Sequence, residues 1–290
     1  MKGGTKSKDR ELPYRKPIWT VRILFRKSLW IAAIVYLIVM LLLPFIALLP
    51  WAFSKSWYYP DLIPEQFSLR GWRAVLAPRS RLIEGFINST VIASVVSVVA
   101  MVIGLMAGRA LGLYKFKGRS AIELLLLAPV IFPTIAVAMG IQVTFIRLGL
   151  ANTLPGVILV HLVPTIPYVS LVMGGVFSNY DVQFEHQARV LGAGAFSTLL
   201  YVTIPIVRPG LIVAGLFAFI LSWSEFLLTQ LIGGGSIITL PILLFTFIRS
   251  DIQLAATLAI IYLVPAILVL GLTARYMTGE SSAIGGIRVA

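Results

Sequence analysis

Six stretches of the sequence are long and apolar enough to cross a lipid bilayer, and they constrain the fold more than any other feature. A helical span needs about 20 mostly apolar residues. The stretches cover residues 29–53, 86–111, 121–145, 154–177, 211–232 and 254–277. Hydrophobic residues make up 59% of the chain and charged residues 12%, which excludes an ordinary soluble domain.

We predict that the spans are helical, because only helices and closed barrels satisfy every backbone polar group inside lipid. Barrel strands would alternate apolar and polar residues over about ten positions, and the sequence lacks that alternation. The predicted fold is therefore an all-α, polytopic transmembrane bundle with six spans. Its parts are a basic N-terminal segment (1–28), the transmembrane domain (29–277) and a C-terminal tail (278–290).

The distribution of basic residues predicts the side on which each loop lies. Of the 24 Lys and Arg residues, 17 lie in the N-terminal segment, the second-to-third and fourth-to-fifth connections and the tail, when Arg109 and Arg275 at the adjoining span ends are included. The loops on the other side hold seven. Because basic residues are enriched on the cytoplasmic side, both termini are expected in the cytoplasm. The first apolar stretch is too long for a signal peptide and is expected to be retained.

The remaining polar residues exclude several kinds of chemistry. The chain has no cysteine and two histidines, so it has no disulfide framework or thiolate metal site and little material for a histidine site. No nucleophile–base or carboxylate pair stands out, so an enzyme is not expected. The net charge of +13 is not carried by a polar domain, so nucleic acid is not an expected partner.

The connection between the fourth and fifth stretches covers residues 179–208 and is unusually long. Connections between bundled helices usually have roughly two to eight residues. Asp181 is placed to cap a short helix, because its carboxylate can accept from free N–H groups of the first turn. Gly192 and Gly194 are placed to end or bend that helix. An isolated helix of this length is marginal, so we expect it to pack on something.

This connection resembles the cytoplasmic signature of binding-protein-dependent ABC importer permeases, which reads E-A-A, three residues, G, nine residues, I-x-L-P. The residues that are identical to it or conservatively replaced are Ala188, Gly192, Val202, Ile204 and Pro205. His186 and Gln187 depart from it, and Glu185 lies one residue early as a source of the acidic contact. The alternative for this segment is an amphipathic connector that lies on the membrane.

Further matches extend the resemblance over most of the chain. They are Leu191-Gly192-Ala193, Arg208-Pro209-Gly210, Ser222-Trp223-Ser224-Glu225-Phe226 and Thr239-Leu240-Pro241. Together they are similar to the permease subgroup that handles spermidine or putrescine, with thiamine, iron, phosphonate and sugar permeases as relatives. The resemblance implies the type I, MetI-like permease fold and a location in the bacterial cytoplasmic (inner) membrane.

The resemblance also implies a set of contacts and partners. The short helix corresponds to the coupling helix of the family, which sits in a cleft of an ATPase subunit. The residues implied in this contact are Glu185, His186, Gln187, Ala188, Leu191, Gly192, Ala193 and Pro205. The implied partners are two ATP-binding-cassette ATPase subunits, a second homologous permease or another copy of this chain, and an extracytoplasmic solute-binding protein. The sequence has no P-loop, so ATP and Mg²⁺ are expected on the partner ATPase, with no cofactor on this chain.

Polar and aromatic residues within the predicted spans are candidates for the translocation pathway. They are Gln142, His161, Ser222, Trp223 and Glu225. Ionisable groups are costly in lipid, and a carboxylate on the pathway would favour a cationic solute. The alternative for Glu225 and His161 is hydrogen bonding between helices.

Prolines and small residues predict how the spans bend and pack. The prolines, in the third and fourth spans, are Pro129, Pro133, Pro164 and Pro167. We expect kinks or local unwinding there, and expect these two helices to wall the pore together with the fifth. Gly104 and Gly108 form a small-x-x-x-small pair that predicts close helix packing.

The sequence thus predicts a non-catalytic permease subunit that takes a small solute into the cytoplasm by alternating access, with a polyamine as the first hypothesis. Sugar, thiamine, iron and phosphonate are the alternative solutes. An ion-driven secondary transporter is a rival, since broken helices also occur there, but it does not require the coupling-helix spacing. A scaffold membrane protein is a third possibility and would show no solute dependence.

Overall fold

The computed structural model describes residues 18–57, 61 and 64–279. Within these residues the chain is almost entirely helical, with one pair of very short strands. Most of the predicted basic segment, up to residue 17, and the predicted tail from residue 280 lie outside the described residues. The chain divides into two compact units between Leu49 and Pro50.

Twelve α-helices follow one another along the described residues. They are α1 Ile18–Phe53, α2 Arg70–Leu76, α3 Leu82–Leu113, α4 Arg119–Ile131, α5 Thr134–Arg147, α6 Leu154–Ser178, α7 Gln183–Val190, α8 Ala195–Thr198, α9 Ile204–Trp223, α10 Leu227–Gly233, α11 Leu240–Ile248 and α12 Ile252–Gly279. A π-helical segment, Leu199–Thr203, joins α8 to α9. The strands β1 Ser54–Ser56 and β2 Gln66–Phe67 pair antiparallel.

Five of the described helices are long and apolar enough to cross a membrane, and α4 with α5 make a sixth if the bent pair counts as one span. Large apolar side chains along them are exposed, as at Leu41 of α1 (68%) and Ile83 of α3 (68%). Such extensive apolar exposure would be unfavourable in water and is suited to lipid. The predicted all-α bundle is confirmed.

The third predicted span is two helices rather than one. The axes of α4 and α5 are bent by 93°. Phe132 between them has extended backbone (φ −84°, ψ 142°), because Pro133 disfavours helical geometry in the residue before it. The predicted kink in this span is therefore confirmed as a sharp break. By contrast, α6 is one continuous helix through Pro164 and Pro167, so the local unwinding considered there does not occur.

The fifth predicted span is both displaced and divided, and the expectation of a single helix over 211–232 is wrong. The candidate span covers Ala195–Trp223, so the connection before it ends near residue 194 rather than 208. Helix α9 ends at Trp223, and α10 begins at Leu227. Glu225, in the break, accepts a hydrogen bond from the Leu228 backbone N–H at 3.1 Å. The carboxylate therefore satisfies a backbone donor that the start of a new helix leaves free.

Helices α3 and α6 pack closely at the centre of the second unit. A Cβ atom on Gly104 would lie 2.5 Å from Val169 Cγ1, and one on Gly112 would lie 2.5 Å from Phe177 Cβ. Small residues let helices approach in lipid, where the hydrophobic effect contributes little to helix association. The packing role predicted for Gly104 and Gly108 is confirmed, and Gly112 extends the row by one turn.

One end of the second unit contains elements that the sequence did not predict. Residues 54–84, between the first two predicted spans, contain α2 and the strand pair, and α11 follows the glycine turn after α10. Arg70 of α2 forms an ion pair with Asp251 (2.5 Å) and donates to Gln253 Oε1 (3.1 Å). These contacts attach α2 to the start of α12.

Candidate functional site

The predicted short helix between α6 and α9 is present as α7. At its start, Asp181 Oδ1 accepts from the Gln183 N–H at 2.9 Å, which confirms the predicted role of this carboxylate. At its end, Gly192 has φ +90°. The Gly192 N–H donates to Arg189 O and the Ala193 N–H to Ala188 O, both at 3.0 Å. This pattern is a Schellman motif, which favours glycine at the left-handed position.

The I-x-L-P part of the signature has a local structural role. Pro205, near the start of α9, has no N–H and cannot make the backbone bond that a helix normally requires there. The helix widens just before it, over Leu199–Thr203, and the Ile204 N–H bonds to Leu199 O, five residues earlier. Pro205 itself is exposed. Within the widened turn, the side chain of Thr203 is fully buried and directed at α7.

Glu185 does not have the orientation expected for an acidic contact with a partner. The residue is 1% exposed, and Arg109 of α3 donates to its Oε2 at 2.6 Å. Thr203 donates to its Oε1 at 2.8 Å. Arg189, one turn further along α7, lies 3.7 Å from Oε2. The carboxylate therefore faces the interior of the protein and binds three neighbours within the chain.

Tyr180 completes this buried polar cluster. Its ring packs edge-on against Phe177, with centroids 5.7 Å apart. The pKa of its hydroxyl is raised, first by burial and also by the Glu185 carboxylate, while Thr203 acts to lower it. The hydroxyl is buried without a hydrogen bond of good geometry. We refer to Arg109, Tyr180, Glu185 and Thr203 as the anchor cluster.

The outer surface of this region is unusually apolar. The large exposed side chains of α7 and its end are Phe184 (48%), Val190 (87%) and Leu191 (87%), which we call the apolar face. Phe196 and Tyr201 are each 75% exposed but lie in the candidate span Ala195–Trp223, where such exposure is suited to lipid. His186 and Gln187 are exposed beside it, and Ala188 and Ala193 are half-buried. The structure thus brings the predicted coupling residues together, with Glu185 inward and most of the others outward.

The predicted intramembrane residues gather around the break between α9 and α10. His161 of α6 is 2% exposed, with Nδ1 2.9 Å from Ser222 Oγ and Nε2 2.9 Å from Thr229 Oγ1. The Thr229 hydroxyl donates to the Glu225 carbonyl, so Nε2 donates to Thr229 and Nδ1 accepts from Ser222. His161 therefore joins the two sides of the break, as the interhelical alternative expected.

The other candidates differ in how accessible they are. Trp223 is 2% exposed and stacks on Phe219 and Tyr262 at centroid distances of 5.7 and 5.9 Å. Gln142 of α5 is half-buried and donates to the carbonyl of Leu231 at 3.1 Å. Glu225 is half-buried, and Ser224 beside it is exposed. Trp223, Ser222 and His161 are thus core residues in this conformation, and Glu225 is the charged candidate near a surface.

Sequence reasoning missed the partners of these residues. Arg109 was counted only as a topology signal, and Thr203 fell within the variable positions of the signature. The sequence does indicate that Arg109 needs a partner, because it lies near the end of a long apolar run and a buried charge must be paired. The partner could not be identified, since 76 residues separate Arg109 from Glu185.

Comparisons with known proteins identify the family of the chain and its fold. Residues 100–278 match the family described as binding-protein-dependent transport system inner membrane component. The chain is similar to the spermidine/putrescine transport system permease protein PotC of Haemophilus influenzae, with 25% identity over 73% of this chain and 81% of that protein. It is also similar to the trehalose transport system permease protein SugB of Mycobacterium tuberculosis, with 28% identity over 71% of this chain and 78% of that protein. The crystal structure of a bacterial ABC transporter that imports the acidic polysaccharide alginate is similar in fold, with a TM-score of 0.65 at 19% identity over 92% of this chain and 100% of that one.

Proposed function

The chain belongs to the family of binding-protein-dependent transport system inner membrane components, and we propose that it forms one half of the alternating-access pathway of an ATP-driven importer. It is a multi-pass permease subunit with the all-α, MetI-like fold, and subunits of this family are not themselves catalytic. The second half of the pathway is a homologous permease or another copy of this chain. Two ATPase subunits bind ATP and Mg²⁺ and supply the driving force.

The apolar face is the observation that carries this proposal. Val190 and Leu191 are each 87% exposed at the tip of α7, in a connection whose basic residues favour the cytoplasm. Large apolar groups held rigidly in water are typical of a surface that a partner covers. We propose that this face, with His186 and Gln187 beside it, enters a cleft of the ATPase. Both chain termini are then cytoplasmic.

Glu225 supports a proposal about the solute. It lies in the helix break two residues beyond the end of the candidate span Ala195–Trp223, half-buried and beside the exposed Ser224. Broken helices line solute sites in transporters, because the freed backbone groups and nearby side chains can bind polar groups. A carboxylate at this position favours a cationic solute, and a polyamine is our first candidate. Gln142 and His161 hold the walls of the break.

A sugar is the second candidate, since the similar proteins include a trehalose permease. A neutral solute would not require the charge of Glu225, whose carboxylate already has a structural role as the cap of α10. The two candidates therefore differ in the effect expected of neutralising Glu225. Thiamine, iron and phosphonate are further alternatives, and an ion-driven secondary transporter has less support because it needs no apolar face.

A cavity at the other end of the second unit suits the solute-binding protein. It has a volume of about 440 Å³ and is lined by residues that include Trp51, Lys55, Arg70, Arg249 and Asp251. Three cationic side chains and one carboxylate give this surface an excess of positive charge. We propose that an acidic surface of the binding protein docks here, because charge complementarity favours encounter between proteins.

Purification of the tagged chain from mild-detergent membranes tests the proposed function. We expect an ATPase with a P-loop to co-purify, and we expect ATP hydrolysis in the eluate. Replacing Leu191 with aspartate should remove the ATPase, because a charge would be placed in the buried contact. Replacing Phe67, which is 69% exposed on β2, with aspartate is the matched control. A chain that purifies alone and moves solute in vesicles with an ion gradient would contradict the proposal.

Uptake measurements with Glu225→Gln separate the two solute classes. For a cationic solute, uptake should fall while the ATPase still co-purifies, because the substitution removes the charge and keeps the size. For a neutral solute, uptake should change little. Glu123→Gln is the control, since Glu123 is 36% exposed and pairs with Arg119 one turn away, where an ion pair contributes little. An equal loss of uptake and of ATPase binding in Glu225→Gln would favour a purely structural role.

A further inference from the structure

The anchor cluster joins three elements that are distant in the sequence. Arg109 lies near the end of α3, Glu185 in α7 and Thr203 in the widened turn before α9. The Glu185 carboxylate is 2% exposed and holds both other residues, with N···O and O···O distances of 2.6 and 2.8 Å. One buried carboxylate therefore fixes where α7 lies on the end of the bundle.

A buried ion pair is a costly way to hold a helix in place. Removing both charges from water offsets much of their mutual attraction, and apolar side chains could hold α7 at least as firmly. What the pair adds is a fixed geometry, since short charge-assisted hydrogen bonds tolerate little displacement. The partner of Glu185 lies on α3, whose glycine row packs directly on α6. A force applied to α7 would thus reach the two central helices of the bundle.

We propose that Arg109 and Thr203 are positioning residues, which hold α7 through Glu185 so that movement imposed on the apolar face is transmitted to α3 and α6. This inference rests on the proposed function, since it assumes that an ATPase moves α7. Without the cluster, α7 keeps its exposed face and still binds the ATPase. Its movement is then absorbed by the turns on either side of α7, residues 179–182 and 191–194, and hydrolysis is uncoupled from transport.

The first test measures solute uptake and ATP hydrolysis together, with the complete transporter and its binding protein reconstituted in vesicles. The solute is radiolabelled spermidine, or radiolabelled trehalose if the parent takes up no spermidine. Arg109→Ala should lower the number of solute molecules taken up per ATP by roughly tenfold, the effect expected of losing a hydrogen bond to a charged group. The amount of bound ATPase should stay unchanged. Arg109→Lys, which retains the charge, should restore much of the ratio.

Two further variants make the test specific. Thr203→Val keeps the shape and removes the 2.8 Å hydrogen bond to Glu185 together with a long 3.4 Å one to Thr198 O. It should therefore fold normally and lower the uptake per ATP by roughly threefold. Arg119→Ala is the matched control, because Arg119 pairs with Glu123 within α4 and both side chains are more than a third exposed (38% and 36%). It should leave the ratio unchanged.

The second test measures the position of α7 in the same complexes. The sequence has no cysteine, so spin labels can be attached at Tyr114→Cys, just beyond α3, and Gln183→Cys, at the start of α7 and outside the apolar face. The distance distribution between them should be narrow in the parent and clearly broader with Arg109→Ala. A merely stabilising role would lower yield and melting temperature without changing uptake per ATP in the protein that folds.

The outcomes separate this inference from the proposed function. If the parent chain binds no ATPase, the proposed function fails. If the parent transports but Arg109→Ala and Thr203→Val keep its uptake per ATP, the inference fails alone. A lowered ratio with an unchanged distance distribution would also overturn it, because positioning would then not be the cause.

Discussion

Replacing Gly192 with alanine should disturb the end of α7 through the backbone alone. Gly192 has φ +90°, and nothing lies within 4 Å of the position that a Cβ would occupy. An alanine methyl group therefore meets no neighbour, and its effect comes from the left-handed conformation. For a residue with a Cβ this conformation costs about 1–2 kcal/mol.

Gly194 provides a matched control two residues away. Its position is equally open, but its backbone is extended (φ −70°, ψ 166°), a conformation that alanine adopts readily. Gly194→Ala should therefore leave the free energy needed to open the end of α7 unchanged, or raise it slightly. Because the two substitutions add the same atoms, their difference isolates the backbone strain. The free-energy cost of Gly192→Asn should lie between the costs of these two substitutions, since asparagine tolerates left-handed geometry better than alanine.

Hydrogen exchange measures the predicted effect directly. The Gly192 and Ala193 N–H groups close the Schellman motif with 3.0 Å bonds, so their exchange reports opening of the helix end. A cost of about 1–2 kcal/mol raises the open population by a factor of roughly 5–30. We expect exchange to accelerate by this factor in Gly192→Ala and not in Gly194→Ala, with reduced uptake only in the former. Equal exchange in both variants would refute the reasoning.

Three further substitutions test the core of the fold by melting temperature in detergent. His161→Ala should lower the free energy of unfolding by about 1–3 kcal/mol, because the buried Ser222 hydroxyl loses its partner; unchanged stability with altered uptake would instead indicate a pathway role. Gly108→Leu should prevent folding, since its Cβ would lie 2.8 Å from a backbone nitrogen of α6, whereas Gly140→Leu meets open space and should fold; equal yields would contradict this. Trp223→Ala should cost about 3–5 kcal/mol through the cavity that it leaves, and a normal melting temperature would show that the ring is not core.

The parts of the fold that follow local rules could be predicted from the sequence. Apolar length located the spans, and the residue types at Asp181 and Gly192 predicted both ends of α7. Pro133 predicted a disruption of the third span, since proline restricts its own backbone and that of the residue before it. Each of these effects acts over a few residues, so the sequence contains it completely.

The features that depend on distant residues could not be predicted. Nothing near Glu225 in the sequence indicates that α9 ends there, since the residues on both sides are helix-compatible and the break is supported from α6 by His161. The direction of the Glu185 side chain is set by Arg109, 76 residues away. An acidic residue next to an exposed motif was therefore expected to face outward, and tertiary pairing turned it inward.

Cross-linking from the tip of α7 tests most directly whether the apolar face docks on an ATPase. Because the sequence has no cysteine, Leu191→Cys introduces a single reactive site that is 87% exposed in the parent. We predict that a short bifunctional reagent applied to membranes joins it to a subunit that mass spectrometry identifies as an ATPase with a P-loop, and that Phe67→Cys gives no such product. Absence of the adduct at Leu191, or an equal adduct from Phe67, would contradict the account.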